Sequence, residues 1–598
     1  MFLHSIRGLS FQRFLLWKTK HLSQQQFILL LSAIIGFTAG LGAVLIKNLT
    51  HFIQNLLEGK MISLYHTAFY FIFPLLGLTI TLLIIKYGIK RKIGHGIPST
   101  LYAISKKKGI MRSFQMYASL ITAPITVGFG GSVGLEGPTV ATGASLGSNI
   151  ARLFQMNQRA RTLLISCAAA GAMSSIFKAP IAAIIFAIEV FSLDLTLISL
   201  LPLLLASVSA ILTSYFFFGA DIILPIKLQD QFLISEVPFY IILGILASLC
   251  SMYFTSVYFK MNDLFKKIGS PIKRLLVGGV SLGVLVYFIP PLYGEGYNVI
   301  NNLLAENYME ALGTNLFNAY LENIWVVIVL LIGLVIFKII ATSLTFGAGG
   351  VGGIFAPVLF MGSAMGHCFA LIVNNLGFLK NPISVSSFTM VGMAGLMAGV
   401  LHAPLTAIFL IAELTGGYEL FVPLMITAAI SFMITNKFQP HSVYTMELAL
   451  RGELLTHDKD QVVLTLLDIQ QVIETNFVEL NISMTLGDVV HKGVIKSSRN
   501  LFPVLDENKH FMGILLLDDI RPVMFDRDLY DTITVQELMQ RAPEIINIQN
   551  DSMKDIMRKF QESDAWNLPV VRNDKYIGFV SKSKLLTAYR QKLIEVTV

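Results

Sequence analysis

Long stretches of the chain contain no Asp, Glu, Lys or Arg: residues 21–46, 61–85, 195–220, 237–259, 339–379 and 381–412. Each reaches or exceeds the ~20 residues an α-helix needs to cross a bilayer. The pattern predicts a polytopic α-helical membrane protein. Past residue 445 it changes: LFPVLDENKHFMGILLLDDIR (501–521) and NLPVVRNDKYIGFVSKSKLL (567–586) each read as strand, Asp/Asn turn, strand and short helix. Expected divisions are an N-terminal cytoplasmic segment at 1–22, a membrane domain at 23–445, a linker at 446–467 and two α/β modules at 468–528 and 529–598. The first apolar run starts after about 25 residues and is too long for a signal-peptide core, so the N-terminus is expected to be retained.

The membrane part repeats itself. AAAGAMSSIFKAPIAAIIFAIE (168–189) aligns without a gap on GMAGLMAGVLHAPLTAIFLIAE (392–413), pairing Gly171 with Gly395, Pro180 with Pro404 and Glu189 with Glu413. Upstream of each copy lies a glycine-rich stretch closing on proline, GGSVGLEGP at 130–138 and GGVGGIFAP at 349–357. A duplicated membrane domain with matching Gly/Pro-interrupted segments points to a transporter whose site lies between its halves.

Composition and charge sharpen this picture. The 598 residues are 54% hydrophobic and only 14% charged, with mean hydropathy +0.67, which excludes an ordinary soluble enzyme. Residues 1–445 hold 27 Lys+Arg against 14 Asp+Glu and residues 446–598 hold 18 against 23, so +13 and −5 give the net +8. The basic clusters Lys90-Arg91-Lys92 and Lys106-Lys107-Lys108 read as interfacial anchors and topology signals, and no nucleic-acid partner is expected. Cys167, Cys250 and Cys368 lack paired spacing, so no disulfide framework or metal site is expected.

The segments GHGIP (94–98), GLEGP (134–138), GGIFAP (352–357) and the KAP/HAP pair share one design. Glycines permit close backbone approach, and a proline suits the first turn of a helix. Helices are therefore expected to start inside the membrane, exposing unpaired N–H groups and the positive ends of their dipoles, a site suited to an anion. Such breaks are tolerated at that depth only inside protein or beside a water-filled cavity. Close helix packing is the plain alternative for any one of these stretches. Glu136 stands among the glycines of GLEGP, and a carboxylate facing an anion site acts as a tethered competitor whose hold weakens on protonation. Its plain alternative is a cap on the helix beginning near Pro138.

These segments carry a family resemblance. GHGIP is similar to the GSGIP of the CLC chloride channels and transporters, GLEGP to their GREGP and GGIFAP to their GxFxP, in order and over about residues 25–445. The C-terminal modules resemble a pair of CBS domains. The resemblance implies two inverted repeats with broken re-entrant helices, an α/β CBS-domain pair in the cytoplasm, and a homodimer in a bilayer, the bacterial inner (plasma) membrane, with one pathway per subunit for chloride and similar anions. It implies Glu136 as the gating glutamate, with His95, Gly96, Ile97, Gly137, Ile354, Phe355 and Tyr444 at the chloride. His95 departs from the family's serine: imidazole also donates a hydrogen bond but is larger and can become cationic. Lys178 is either an attractor at the pathway or a snorkelling anchor.

Glu189 matches a structural family glutamate. The next position, the internal proton glutamate of exchangers, is Val190, which cannot relay protons. The expectation is therefore a gated, voltage- or pH-modulated chloride channel, the alternative being a chloride/proton antiporter without the usual internal glutamate. No cofactor is expected. An adenine nucleotide at the CBS pair is the one candidate, and each copy keeps only one of the two usual polar groups: Leu516 with Asp519 in the first, Ser581 with Lys584 in the second. A more distant reading takes GGSVG (130–134) as a G-x-S-x-G elbow with Ser132 as a hydrolase nucleophile, which requires a strand before it and a His and an acid beside it. GAGGVG (347–352) matches G-x-G-x-x-G but lacks the acidic residue some 20 positions later.

Overall fold

The computed structural model describes residues 20–57, 69–91, 93–94, 96–193, 196–219, 232–313, 320–377, 379, 381–415, 418–450, 464 and 467–597. Most of the 1–22 segment and of the 446–467 linker, together with His95, lies outside them. The chain forms two compact units that divide after Leu454.

In the first unit, nine of the described helices are long and apolar enough to cross a membrane. The longest reach 34 residues, Gln24–Leu57 among them. That helix starts where Ser23 and Gln26 cap each other: the Gln26 N–H donates to Ser23 Oγ at 3.2 Å and the Ser23 N–H to Gln26 Oε1 at 3.0 Å. Its buried face, Phe27, Leu31, Ile35, Ala39 and Ala43, recurs every four residues as one helical stripe. At Gly36 the backbone of the Leu197–Phe218 helix comes so close that a Cβ would strike Ala206. Small residues at crossings are how apolar helices gain van der Waals contact in lipid.

The duplicated segments fold alike. Gln158–Phe177 and Val385–Leu401 each end at a residue in left-handed conformation, Lys178 (φ 57°) and His402 (φ 55°). An alanine follows, and a proline then opens Pro180–Phe191 or Pro404–Leu414. These two helices, too short to cross alone, are joined by exchanged glutamates. Glu189 accepts the N–H groups of Leu405 (3.0 Å) and Thr406 (2.7 Å) and the Thr406 hydroxyl (2.6 Å), while Glu413 accepts those of Ile181 (3.1 Å) and Ala182 (2.8 Å). Each carboxylate sits near its own helix C-terminus and caps the other's N-terminus, so the pair runs antiparallel and the two halves are inverted.

The second unit contains two sheets. Leu480–Asn481, Leu501–Leu505 and Phe511–Leu516 form one; Ile473–Glu474, Lys575–Ser581, Asn567–Arg572 and Ile546–Asn547 form the other, in those spatial orders. Both expected strand-turn-strand modules are present, each with a parallel strand added beside its first member. Ile473–Glu474, although within the 468–528 stretch, pairs antiparallel with Lys575–Ser581 of the second module, so the two modules interlock.

Candidate functional site

Three helices begin at one point: Gly96–Lys106, Glu136–Leu153 and Phe355–Asn375. The last two come from opposite halves and are tied by an antiparallel bridge, Gly134 N–H to Gly353 O at 2.8 Å and Gly353 N–H to Gly134 O at 2.7 Å. Glycine is required here for space. A Cβ on Gly353 would lie 2.8 Å from the Gly137 nitrogen, and one on Gly96, which also has φ 50°, would lie 2.9 Å from the Gly137 carbonyl oxygen. Beside the junction is a cavity of about 30 Å³ lined by Gly96, Ile97, Gly137, Ile354, Tyr258 and Tyr444, among others, room for a single small species.

Glu136 opens its helix and is buried. Its Oε1 accepts the Tyr297 hydroxyl at 2.7 Å. Its Oε2, also buried, accepts no hydrogen bond, although the carboxylate is directed toward the N–H of Ala356 at the facing helix start. On its other side lies a cavity of about 630 Å³ whose walls include Lys47, Lys178, Glu136, Glu295 and Tyr297. Glu136 thus stands between a large, charge-lined cavity and the small one beyond Gly137.

The structure gathers Gly96, Ile97, Gly137, Ile354 and Tyr444 around one cavity. Phe355 is fully buried behind it, its ring 5.3 Å from that of Phe177 and 6.2 Å from that of Phe186. Lys178 lines the large cavity, where its Nζ donates to the Gly219 carbonyl at 2.9 Å and lies over the Tyr215 ring. Val190 lies at the opposite end of its helix from Lys178 and packs on the apolar core. Ser132 is no nucleophile: its Oγ is buried without a hydrogen-bond partner, its backbone bonds Thr345 and Thr342, and among the described residues no His or carboxylate hydrogen-bonds it. GAGGVG closes a helix and leads into the Gly353 bridge, without the strand a dinucleotide loop needs.

The sequence reading missed Tyr297, Glu295, Lys338 and Tyr258. GEGY (294–297) carried a signal, a glutamate bracketed by glycines as in GLEGP. Lys338 had the signal of a lone cation in an otherwise apolar helix. It is fully buried, donates to the Gly294 carbonyl at 3.0 Å and lies 4.5 Å from the Phe360 ring centre. Tyr258 sits in a long apolar helix with nothing local to distinguish it.

In the second unit, the polar groups expected to meet a nucleotide already have protein partners. Asp519 accepts Gln540 Nε2 at 2.9 Å and the Leu516 N–H at 3.2 Å. The Ser581 hydroxyl donates to Glu474 at 2.8 Å, and Arg499 holds the other oxygen of that carboxylate at 2.6 Å. Both copies thus hold their polar groups in contacts within the second unit.

Converging helix starts, a glycine junction that brings backbone N–H groups together inside the membrane and a carboxylate between two cavities define a broken-helix anion transport protein. Residues 76–436 match the family described as voltage gated chloride channel, and residues 469–526 and 535–591 match the CBS domain. The chain belongs to that chloride channel family and is a transport protein rather than an enzyme. It is 28% identical over 433 residues to a putative chloride channel protein ClcB-like of Ralstonia nicotianae, covering 71% of this chain and 96% of that one. It is 29% identical over 436 residues to the H(+)/Cl(-) exchange transporter ClcA of Salmonella paratyphi B, covering 71% and 88%. Its fold is similar to that of a slow cyanobacterial Cl−/H+ antiporter (TM-score 0.61, 23% identity, 72% of this chain and 99% of that chain). A eukaryotic CLC transporter covers more of it (TM-score 0.60, 18% identity, 94% and 99%).

Proposed function

We propose that this protein exchanges chloride for protons across the membrane, with Glu136 as the gate. One observation carries the reading: the Glu136 carboxylate, one oxygen on Tyr297 and the other without a partner, separates the two cavities. A charged carboxylate there competes with an anion for the same helix starts. Once protonated it no longer competes as an anion, and chloride passes. Ile97, Gly137, Ile354 and Phe355 hold the anion through backbone N–H groups, with Gly96 lining the site and the Tyr444 hydroxyl on the inner side.

Charge distribution supports a sidedness. The end of the Gly96–Lys106 helix, the C-terminus of the Glu136–Leu153 helix and the start of the Gln24–Leu57 helix meet on one face, through Arg161 donating to the Lys108 carbonyl and Phe27 packing on Phe154. That face carries Lys106, Lys107, Lys108, Arg152 and Arg161, so it is the cytoplasmic one. The large cavity, at the other end of the Gln24–Leu57 helix, then faces outward. Family membership supports a homodimer, and bacterial relatives support the plasma membrane with the CBS pair in the cytoplasm.

Relatives that bear an exchanger's name favour exchange over the channel expected from Val190. In an exchanger of this sequence, water or another group replaces the missing internal carboxylate. The second reading, a passive chloride channel, keeps Val190 as its specific support. Reversal potentials of the purified protein in liposomes under crossed chloride and pH gradients decide between them. Exchange predicts a potential displaced from the chloride equilibrium value by pH at a fixed ratio, and a potential indifferent to pH rejects it.

A further inference from the structure

GEGY, residues 294–297, brings a second carboxylate to the mouth of the site. Gly294 (φ 62°) and Gly296 (φ 93°) both adopt left-handed conformations, and a Cβ on Gly296 would run into the Phe360 ring. Between these bends, Glu295 Oε1 accepts the Leu135 N–H at 3.0 Å, one residue before the gate. The same segment supplies Tyr297, which donates to Glu136. The groups acting on Glu295 come from four elements: Glu136 itself, Lys47 of the Gln24–Leu57 helix, Lys338 of the Ile324–Gly347 helix and Tyr297 of its own segment. Lys338 donates to the Gly294 carbonyl rather than to Glu295. Both carboxylates line the 630 Å³ cavity.

Two carboxylates in one poorly solvated site do not ionise independently, since a charge on one raises the cost of a charge on the other. We propose that Glu295 is a positioning and proton-sharing carboxylate of the gate: it fixes the Glu136 helix start through Leu135 and passes a proton between the large cavity and Glu136. In that step the O–H bond of the Glu295 carboxyl breaks and one forms on the Glu136 carboxylate, directly or through cavity water. Glu295 is left charged while Glu136 becomes neutral and withdraws. This rests on the reading of Glu136 as the gate.

The test measures chloride efflux and proton uptake in liposomes against external pH for wild type, Glu295→Gln and Glu136→Gln. Glutamine keeps an oxygen for the Leu135 N–H but holds no proton, so a purely structural role leaves the pH profile unmoved. The expected result is that Glu295→Gln loses one titration step from its pH profile and slows proton uptake, and with it the coupled chloride efflux, by about tenfold or more. Glu295→Asp restores the step with a displaced midpoint, and serves alone should the glutamine variant not fold. If Glu136→Gln flattens the profile while Glu295→Gln or Glu295→Asp superimposes on wild type, the gate stands and the role of Glu295 is overturned. If Glu136→Gln itself leaves the profile intact, the gate reading falls and takes this one with it.

Discussion

Glu189 and Glu413 join the two halves, and Glu136 and Glu295 stand at the mouth of the site; the contrast separates two uses of a membrane carboxylate. Glu189 accepts three hydrogen bonds and Glu413 two, all at helix starts that would otherwise be bare. The pair obeys the internal symmetry, each glutamate doing for one repeat what its counterpart does for the other. Glu136 also sits at a helix start, yet one of its oxygens is buried and unpartnered, and the matching helix of the second half begins with Phe355. A fully satisfied carboxylate fastens a helix, whereas one left partly unsatisfied is free to move or to change its charge. Symmetry serves the scaffold here, and departure from it serves the chemistry.

The strongest attempt to break this contrast is Glu136→Gln. It is expected to raise basal chloride flux by about tenfold and remove most of its pH dependence, because the side chain no longer competes as an anion. Chloride efflux from liposomes at acidic and neutral pH measures it, and a wild-type profile would place Glu136 with the fastening glutamates. Next in size is Gly353→Ala, whose Cβ meets the Gly137 nitrogen at 2.8 Å. Parting the glycine bridge is expected to lower stability by about 3 kcal/mol, with transport lost, as read by thermal melting in detergent and by flux.

Glu413→Ala strands the N–H groups of Ile181 and Ala182 and is expected to lower stability by about 2 kcal/mol. Here the pH profile of the flux should stay as in wild type; a changed profile would merge the two kinds of glutamate. The second unit offers two smaller checks. Glu474 occupies Ser581 and Arg499 as Glu189 occupies its helix start, so millimolar ATP should stabilise the full chain by less than about 1 kcal/mol in a melting assay. Calorimetric binding at micromolar ATP would contradict this. Smallest is Lys492→Ala. The Lys492 ammonium donating to half-buried Asp488 holds its carboxyl below the ordinary carboxylate range. The stabilisation is therefore present above the unfolded carboxylate's titration and is lost as pH falls through the folded one. At neutral pH the substitution should cost about 0.3 kcal/mol, visible in denaturant titrations.

The sequence made some of this legible and hid the rest for physical reasons. Glu136, the glycine-proline starts and the duplicated KAP/HAP helices were readable because each is a local requirement for close backbone approach or a helix opening, written in adjacent residues. Gly96, Ile97, Gly137, Ile354 and Tyr444 could be assembled only through the family motifs, since nothing local says that residue 444 returns to residue 96. Glu295 and Tyr297 escaped because their meaning depends on a partner some 160 positions away. The two-residue strand Ile473–Glu474 escaped because so short a segment has no period, and its place in the second module's sheet is fixed by tertiary pairing alone.

The Gly134–Gly353 bridge limits how the protein can work. Its two hydrogen bonds join one half to the other beside the small cavity at the helix starts, and the exchanged glutamates fasten the halves again along the Pro180 and Pro404 helices. A transporter that opens by tilting one half against the other needs a slack or sliding seam at its centre. This seam is stapled where an opening would have to begin, and parting a backbone pair at membrane depth is costly. Access must therefore change over the width of a side chain, by a carboxylate turning and a few ångströms of adjustment around it, while the frame stays still.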